Sequence, residues 1–214
     1  MTKTILLSVL AAMIFWTTAI LVAQEQAPAP SLKEGDTWQF NISRKGQIST
    51  STEQNEGIYE LSVIQGAVKL YAINGGQRNE MPIQPDGATQ ALLRLVGKSD
   101  QRQDLKFPLS VGQKWTYQYE TKLAGLTQVQ RRFVEVNVAG MEQVDTSAGS
   151  FKAYKLIRSE SWSMTSRTGF AGRNSITNTY FYSPETKSII KSFLINDNNP
   201  GTIETELTKF TPGG

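Results

Sequence analysis

The sequence predicts an all-β domain: an antiparallel β-sandwich or a partly closed barrel of about ten strands, built from two related modules with at most one short helix. Three observations lead there. The pattern L-x-x-G-x-x-W-x-aromatic occurs twice, 77 positions apart, as Leu32, Gly35, Trp38, Phe40 and as Leu109, Gly112, Trp115, Tyr117. Segments with aromatic and β-branched residues at alternate positions recur along the chain, separated by turn sequences. Only Thr89 to Val96 carries a helical pattern, with Thr89 as its expected cap.

Residues 1–23 form a secretory leader. Lys3 supplies the positive start, Ile5 to Val22 is apolar apart from Ser8, Thr17 and Thr18, and Ala23 offers a small residue for cleavage. Cleavage after Ala23 is expected. Leu21 is large for its place in a cleavage site, and the apolar run approaches the roughly 20 residues of a membrane span. A retained N-terminal anchor is therefore the alternative. No later run approaches that length, and with no cysteine there is no thiol for a lipid anchor.

Residues 24–31 are a proline-alanine spacer, expected to be extended and poorly packed. One all-β domain is expected over 32–212, with module one at 32–88 and module two at 107–212. In module one, Thr37 to Ile42 alternates with Trp38, Phe40 and Ile42 on one face, and Tyr59, Leu61 and Val63 alternate again. Val68 to Ile73 follows, then Asn74-Gly75-Gly76, a tight turn whose central residues need positive φ. A short return strand around Glu80 to Ile83 ends at Pro85-Asp86-Gly87.

In module two, Trp115, Tyr117 and Tyr119 line one strand face. Gln130 to Val138 alternates, but its apolar face shifts midway, which predicts a bulge near Arg132 or Phe133. Ser147 to Ser150 turns into the strand Phe151 to Ile157, and Thr165 to Asn174, polar and glycine-bearing, predicts a loop. Ile176 to Tyr182, Ser188 to Ile195 and Thr202 to Phe210 form a meander with turns at 183–186 and 197–201. The repeat continues weakly, Glu60-Leu61-Ser62-Val63 with Glu135-Val136-Asn137-Val138 and Val68-Lys69-Leu70-Tyr71 with Phe151-Lys152-Ala153-Tyr154.

Composition excludes several chemistries. The 214 residues contain neither cysteine nor histidine. Thiolate and imidazole metal sites, Ser-His-Asp triads, Cys-His dyads and histidine bases are all impossible. No metal or cofactor site is expected. Removing the leader takes Lys+Arg from 22 to 21 against Asp+Glu 19, a net charge of +2. Arg131-Arg132 is the one adjacent arginine pair, and no basic cluster suits nucleic acid.

Three candidate sites arise. Ser188 and Lys191 match S-x-x-K, but in a strand they point to opposite faces, so no acylase is expected. Glu204 and Glu206 share a strand face that reads as solvated, while Asp100, Asp104, Glu120 and Glu135 show no pairing. Among the rings Trp38, Trp115, Tyr117, Tyr119, Trp162, Tyr180 and Tyr182, Trp38 and Trp115 are assigned to the core. Trp162, between Ser161 and Ser163, is the candidate ligand-facing ring.

Phe107-Pro108-Leu109 through Tyr119 (F-P-L-x-x-G-x-x-W-x-Y-x-Y), Ser147 to Leu156 (S-A-G-S-F-K-A-Y-K-L) and Tyr180-Phe181-Tyr182-Ser183-Pro184 resemble the motifs of a loose group of uncharacterised, exported, β-rich bacterial envelope domains. Ser147 stands where that group usually has proline. The resemblance covers about the second half and implies a periplasmic or surface β domain, with no active site attached. The expected function is a non-enzymatic envelope protein that binds a protein, lipid or glycan. The alternative is a carboxylate-dependent glycan hydrolase.

Overall fold

A computed structural model of the chain describes residues 25–46, 56–83, 88–98, 102–122, 129–166, 169–196 and 199–214. Its strands are β1 (Gln26–Ala27), β2 (Thr37–Lys45), β3 (Gly57–Ile64), β4 (Ala67–Asn74), β5 (Gln77–Met81), β6 (Leu109–Ser110), β7 (Lys114–Lys122), β8 (Val129–Thr146), β9 (Gly149–Ser166), β10 (Gly169–Ser183), β11 (Ser188–Asn196) and β12 (Asn199–Thr211). Helix α1 (Ala88–Leu93) runs into a 3-10 turn, Arg94–Val96. Ten strands form one antiparallel sheet in the order β5-β4-β3-β2-β12-β11-β10-β9-β8-β7, and β1 pairs with β6 alone. The last strand therefore joins the two meanders by pairing with β2.

The sheet curls because its alternating faces must hide their apolar side. Trp38, Phe40 and Ile42, then Leu61 and Val63, then Val134, Val136 and Val138 all point inward and enter one core with Leu92, Leu95 and Val96 of the helical segment. The β8–β9 hairpin is long enough to bend across to β12. At its tip the Ala148 N–H donates to the Leu207 carbonyl at 3.3 Å. The Glu206 carboxylate accepts from the Ser147 N–H at 2.7 Å and hydroxyl at 2.6 Å. β5 and β7 remain as edges, so the curl is not a closed barrel.

The two tryptophan motifs adopt the same local structure. Gly35 and Gly112 have φ of 84° and 85°, conformations open to glycine. Each donates its N–H to a valine, Gly35 to Val63 and Gly112 to Val138, and each valine returns the bond to the next residue, Asp36 or Gln113. The side chains of Asp36 and Gln113 then accept the N–H three residues back, from Lys33 and Ser110. The weaker likeness of Val68–Tyr71 to Phe151–Tyr154 is not positional. Tyr71 lies opposite Glu60, whereas Tyr154 lies opposite Met141 rather than Glu135.

Four expectations require correction. The spacer is docked at one point, though mostly exposed: Ala27 is buried, β1 pairs with β6, and Tyr154 donates its hydroxyl to the Glu25 carbonyl, while Gln26, Pro28 and Ala29 stay exposed. Its alanine and backbone groups found partners that composition does not reveal. Thr165 to Asn174 is not a loop, because β9 runs to Ser166 and β10 starts at Gly169, with cross-strand pairing stabilising a polar hairpin. Register is continuous through Arg132 and Phe133, and the shift comes between Val138 and Gly140. Thr89 lies inside α1, which begins at Ala88. The Ala23 cleavage site, Pro85-Asp86-Gly87, Asp197 and Asn198 lie outside the described residues.

Candidate functional site

On β8, β9 and β10 the inward positions change character halfway along. Val138, Val136 and Val134 continue in phase into Arg132 and Gln130, Leu156 into Arg158 and Glu160, and Tyr180 into Asn178. All of these polar side chains are buried. The apolar face of β8 does not shift; its inward side changes from apolar to polar. Phe133 points out and is 48% exposed, while Arg132 points in.

The buried charges form one bonded network. Arg158, 1% exposed, donates from Nε to Asp104 Oδ1 at 2.7 Å. Its Nη1 lies 2.6 Å from Glu160 Oε2. Asp104 also receives the Tyr117 hydroxyl on Oδ1 and Arg94 Nη1 on Oδ2, the latter at 3.1 Å. Glu160 Oε1 accepts from the Tyr119 hydroxyl at 2.6 Å and from Arg132 Nη1 at 2.7 Å. Arg132 is completed by Thr121 and Gln130. Arg102 lays its guanidinium over the Tyr119 ring, 4.6 Å from the centroid.

Burial opposes ionisation of both acids, yet the arginine charges prevail. Glu160 is brought down to about 2, by Arg158 first and Arg132 second. Asp104 lies below the usual carboxylate range for the same reason, with Arg158 and Arg94 as the charges. Both are carboxylates at neutral pH.

These residues border a cavity with about 40 Å³ open to the centre of a water molecule, room for a few waters or one small polyatomic group. Arg94, Arg102, Arg132, Arg158 and Glu160 form its polar wall; Leu95, Ile176, Ile189, Leu194 and Ile203 form its apolar wall. It sits under α1, between the helix and the inner face of β7–β12.

Trp162 does not line this cavity. It is half-buried, with the Arg132 guanidinium 4.3 Å above its ring, and so acts as a platform for a cavity arginine. Trp38 and Trp115 are in the core, donating from Nε1 to the Thr186 and Gln103 carbonyls, each at 2.6 Å. Ser188 is buried and bonded to Thr186, away from Lys191, which lies between Glu204 and Glu206. Of Asp100, Asp104, Glu120 and Glu135, Asp104 belongs to the network, and Asp100 lies outside the described residues. What sequence reasoning missed is Arg158, Glu160, Arg132 and Arg94. The available cue was polar residues in phase with a core face, Gln130-x-Arg132-x-Val134 and Leu156-x-Arg158-x-Glu160.

No family model and no curated protein matches the chain. Among solved structures, a candidate exported protein with YmcC-like fold from Bacteroides fragilis is similar, at 12% identity and TM-score 0.41, over 86% of this chain and 99% of that one. A candidate lipoprotein from Parabacteroides distasonis has 11% identity and TM-score 0.39, over 88% and 100%. The hypothetical lipoprotein YmcC from Escherichia coli has 11% identity and TM-score 0.38, over 84% and 86%.

Proposed function

We propose that the chain is an exported, non-enzymatic binding domain of the cell envelope, whose ligand inserts a small group into the cavity beneath α1. The observation that carries this reading is the polar stretch of an otherwise apolar inner face, surrounding space that no described side chain fills. Interiors are normally close-packed, and buried ion networks add little stability over hydrocarbon of equal volume. A polar, unfilled interior is a feature of binding sites.

Export is supported by the apolar leader at 1–23, directly before the docked Glu25. The size of the cavity favours a group carried by a lipid or a glycan over a protein surface. The hydrolase alternative fares worse. Glycoside hydrolysis needs one carboxyl that stays protonated, and both acids that meet at Arg158 are held ionised.

Native mass spectrometry tests the binding reading on protein recovered from its own envelope fraction. A bound mass lost on denaturation is expected, and Asn178→Leu, which narrows the cavity from a neutral position, should lack it. Protein with no adduct, and with nothing in its organic or aqueous extract, would refute it. N-terminal sequencing of the same material should begin at Gln24; an intact Met1 would refute leader cleavage.

A further inference from the structure

We propose that the group held in the cavity is an oxyanion of phosphate size, seated against Arg158, Arg94 and Arg102. This rests on the cavity being the ligand site, and three independent features of its wall specify the chemistry.

The first is charge. Among the described residues, three guanidinium groups of the wall, Arg94, Arg132 and Arg158, share two carboxylates, Asp104 and Glu160, which leaves one positive charge in excess. A buried charge without a counter-charge is costly, so an anion in the cavity would be favoured.

The second is hydrogen bonding. All four oxygens of Asp104 and Glu160 are already engaged. Arg158 Nη2 and Arg94 Nε, both buried, have no partner among the described residues. Burial raises the pKa of Tyr180, so it keeps its proton and remains a donor, while the Tyr119 hydroxyl already donates to Glu160. A wall richer in donors than acceptors suits a ligand that only accepts. A neutral sugar hydroxyl, which must also donate, would rely on Asn178 and Ser192 to accept.

The third is size. The space has room for one small oxyanion, and guanidinium forks bind such groups in pairs of parallel bonds. A free anion and the charged head of a larger molecule share this chemistry.

Calorimetric titration of the mature protein in Tris-chloride at fixed ionic strength tests the proposal, with inorganic phosphate as first probe. Saturable binding is expected, with chloride producing none. Arg102→Gln, at the half-buried rim, should weaken binding about tenfold or more, the loss of one charged hydrogen bond. Lys152→Gln, paired with Glu25 elsewhere on the surface, should leave it unchanged. Circular dichroism confirms that each variant is folded.

Glycerol 3-phosphate and dihexanoyl phosphatidic acid separate the sources. Equal affinity with inorganic phosphate assigns a free ion; tighter binding of an ester assigns a headgroup; either result supports the oxyanion. Phosphate and acetate titrations no different from chloride overturn it, as does Arg102→Gln binding phosphate like the wild type. If native mass spectrometry meanwhile finds a neutral adduct lost in Asn178→Leu, the binding reading stands and the oxyanion alone falls. With no adduct either, both fall.

Discussion

Arg158 Nε lies 2.7 Å from Asp104 Oδ1, with both side chains at or below 3% exposure. The pair joins β9 to the 102–106 segment, the stretch that also receives Trp115 Nε1 at the Gln103 carbonyl. This contact fixes one wall of the cavity. Removing either partner strands a buried charge, at a cost of about 3–5 kcal/mol. Asp104→Asn and Arg158→Met should each lower the urea midpoint strongly. The double variant should lose much less than the sum of the two. Strict additivity would show that the two groups do not interact.

Acid should weaken the fold in a defined window. Glu160 titrates near 2 in the folded protein, against an ordinary value of 4.5. Its folded value is depressed, so its contribution is complete above about 4.5 and is lost as pH falls towards 2. The shift corresponds to something on the order of 3 kcal/mol. Asp104 acts in the same direction. Urea midpoints should be level from pH 7 to 5 and fall steeply below about 4.5. Glu160→Gln should flatten that fall, and a variant curve parallel to the wild type would remove Glu160 as its cause.

Much of the architecture could be read from spacing alone. Strands anchored by Trp38, Leu61, Trp115 and Val136 announce themselves through period-two alternation, and Asn74-Gly75-Gly76 fixed its hairpin, with Gly75 and Gly76 at φ of 55° and 80°. Short apolar runs were legible too, since α1 and its 3-10 turn cover the predicted helix. The site was not legible for the same reason that the strands were. Pattern reading assigns Arg132 and Glu160 to water by residue type, although their phase places them inside. Pairing over long separations, such as Asp104 with Arg158, leaves no trace in local sequence.

The paired tryptophans give a further test. Trp38 and Trp115 each donate an indole N–H at 2.6 Å, to Thr186 and Gln103 respectively. Phenylalanine keeps most of the ring but leaves the carbonyl unpaired, which costs about 1–3 kcal/mol where water cannot reach it. Trp38 is fully buried and Thr186 with it, whereas the bond from Trp115 is only partly buried. Trp38→Phe should therefore lower the urea midpoint more than Trp115→Phe. The reverse order would show that burial does not set the cost.

The C-terminus is held by one carboxylate, and a single methyl group should release it. Asp36, fully buried, accepts from the Gly213 N–H at 2.8 Å, the Lys187 ammonium at 2.7 Å and the Lys33 N–H at 2.7 Å. Burial alone would raise its pKa, but these donors together, Gly213 foremost, bring it below the ordinary value. A Cβ at Gly213 would fall 2.7 Å from the Asp36 nitrogen and closer still to the Glu34 carbonyl, both rigid backbone atoms. Gly213→Ala should push the chain end away and lose about 1–3 kcal/mol with the bond. It should also raise the Asp36 pKa as read by carboxyl NMR, because a donor to its charged form is gone. Gly214, with nothing within 4 Å of its own Cβ, is the matched control, and Gly214→Ala should be silent. Equal behaviour of the two variants would mean that the terminal strand is not anchored through Asp36.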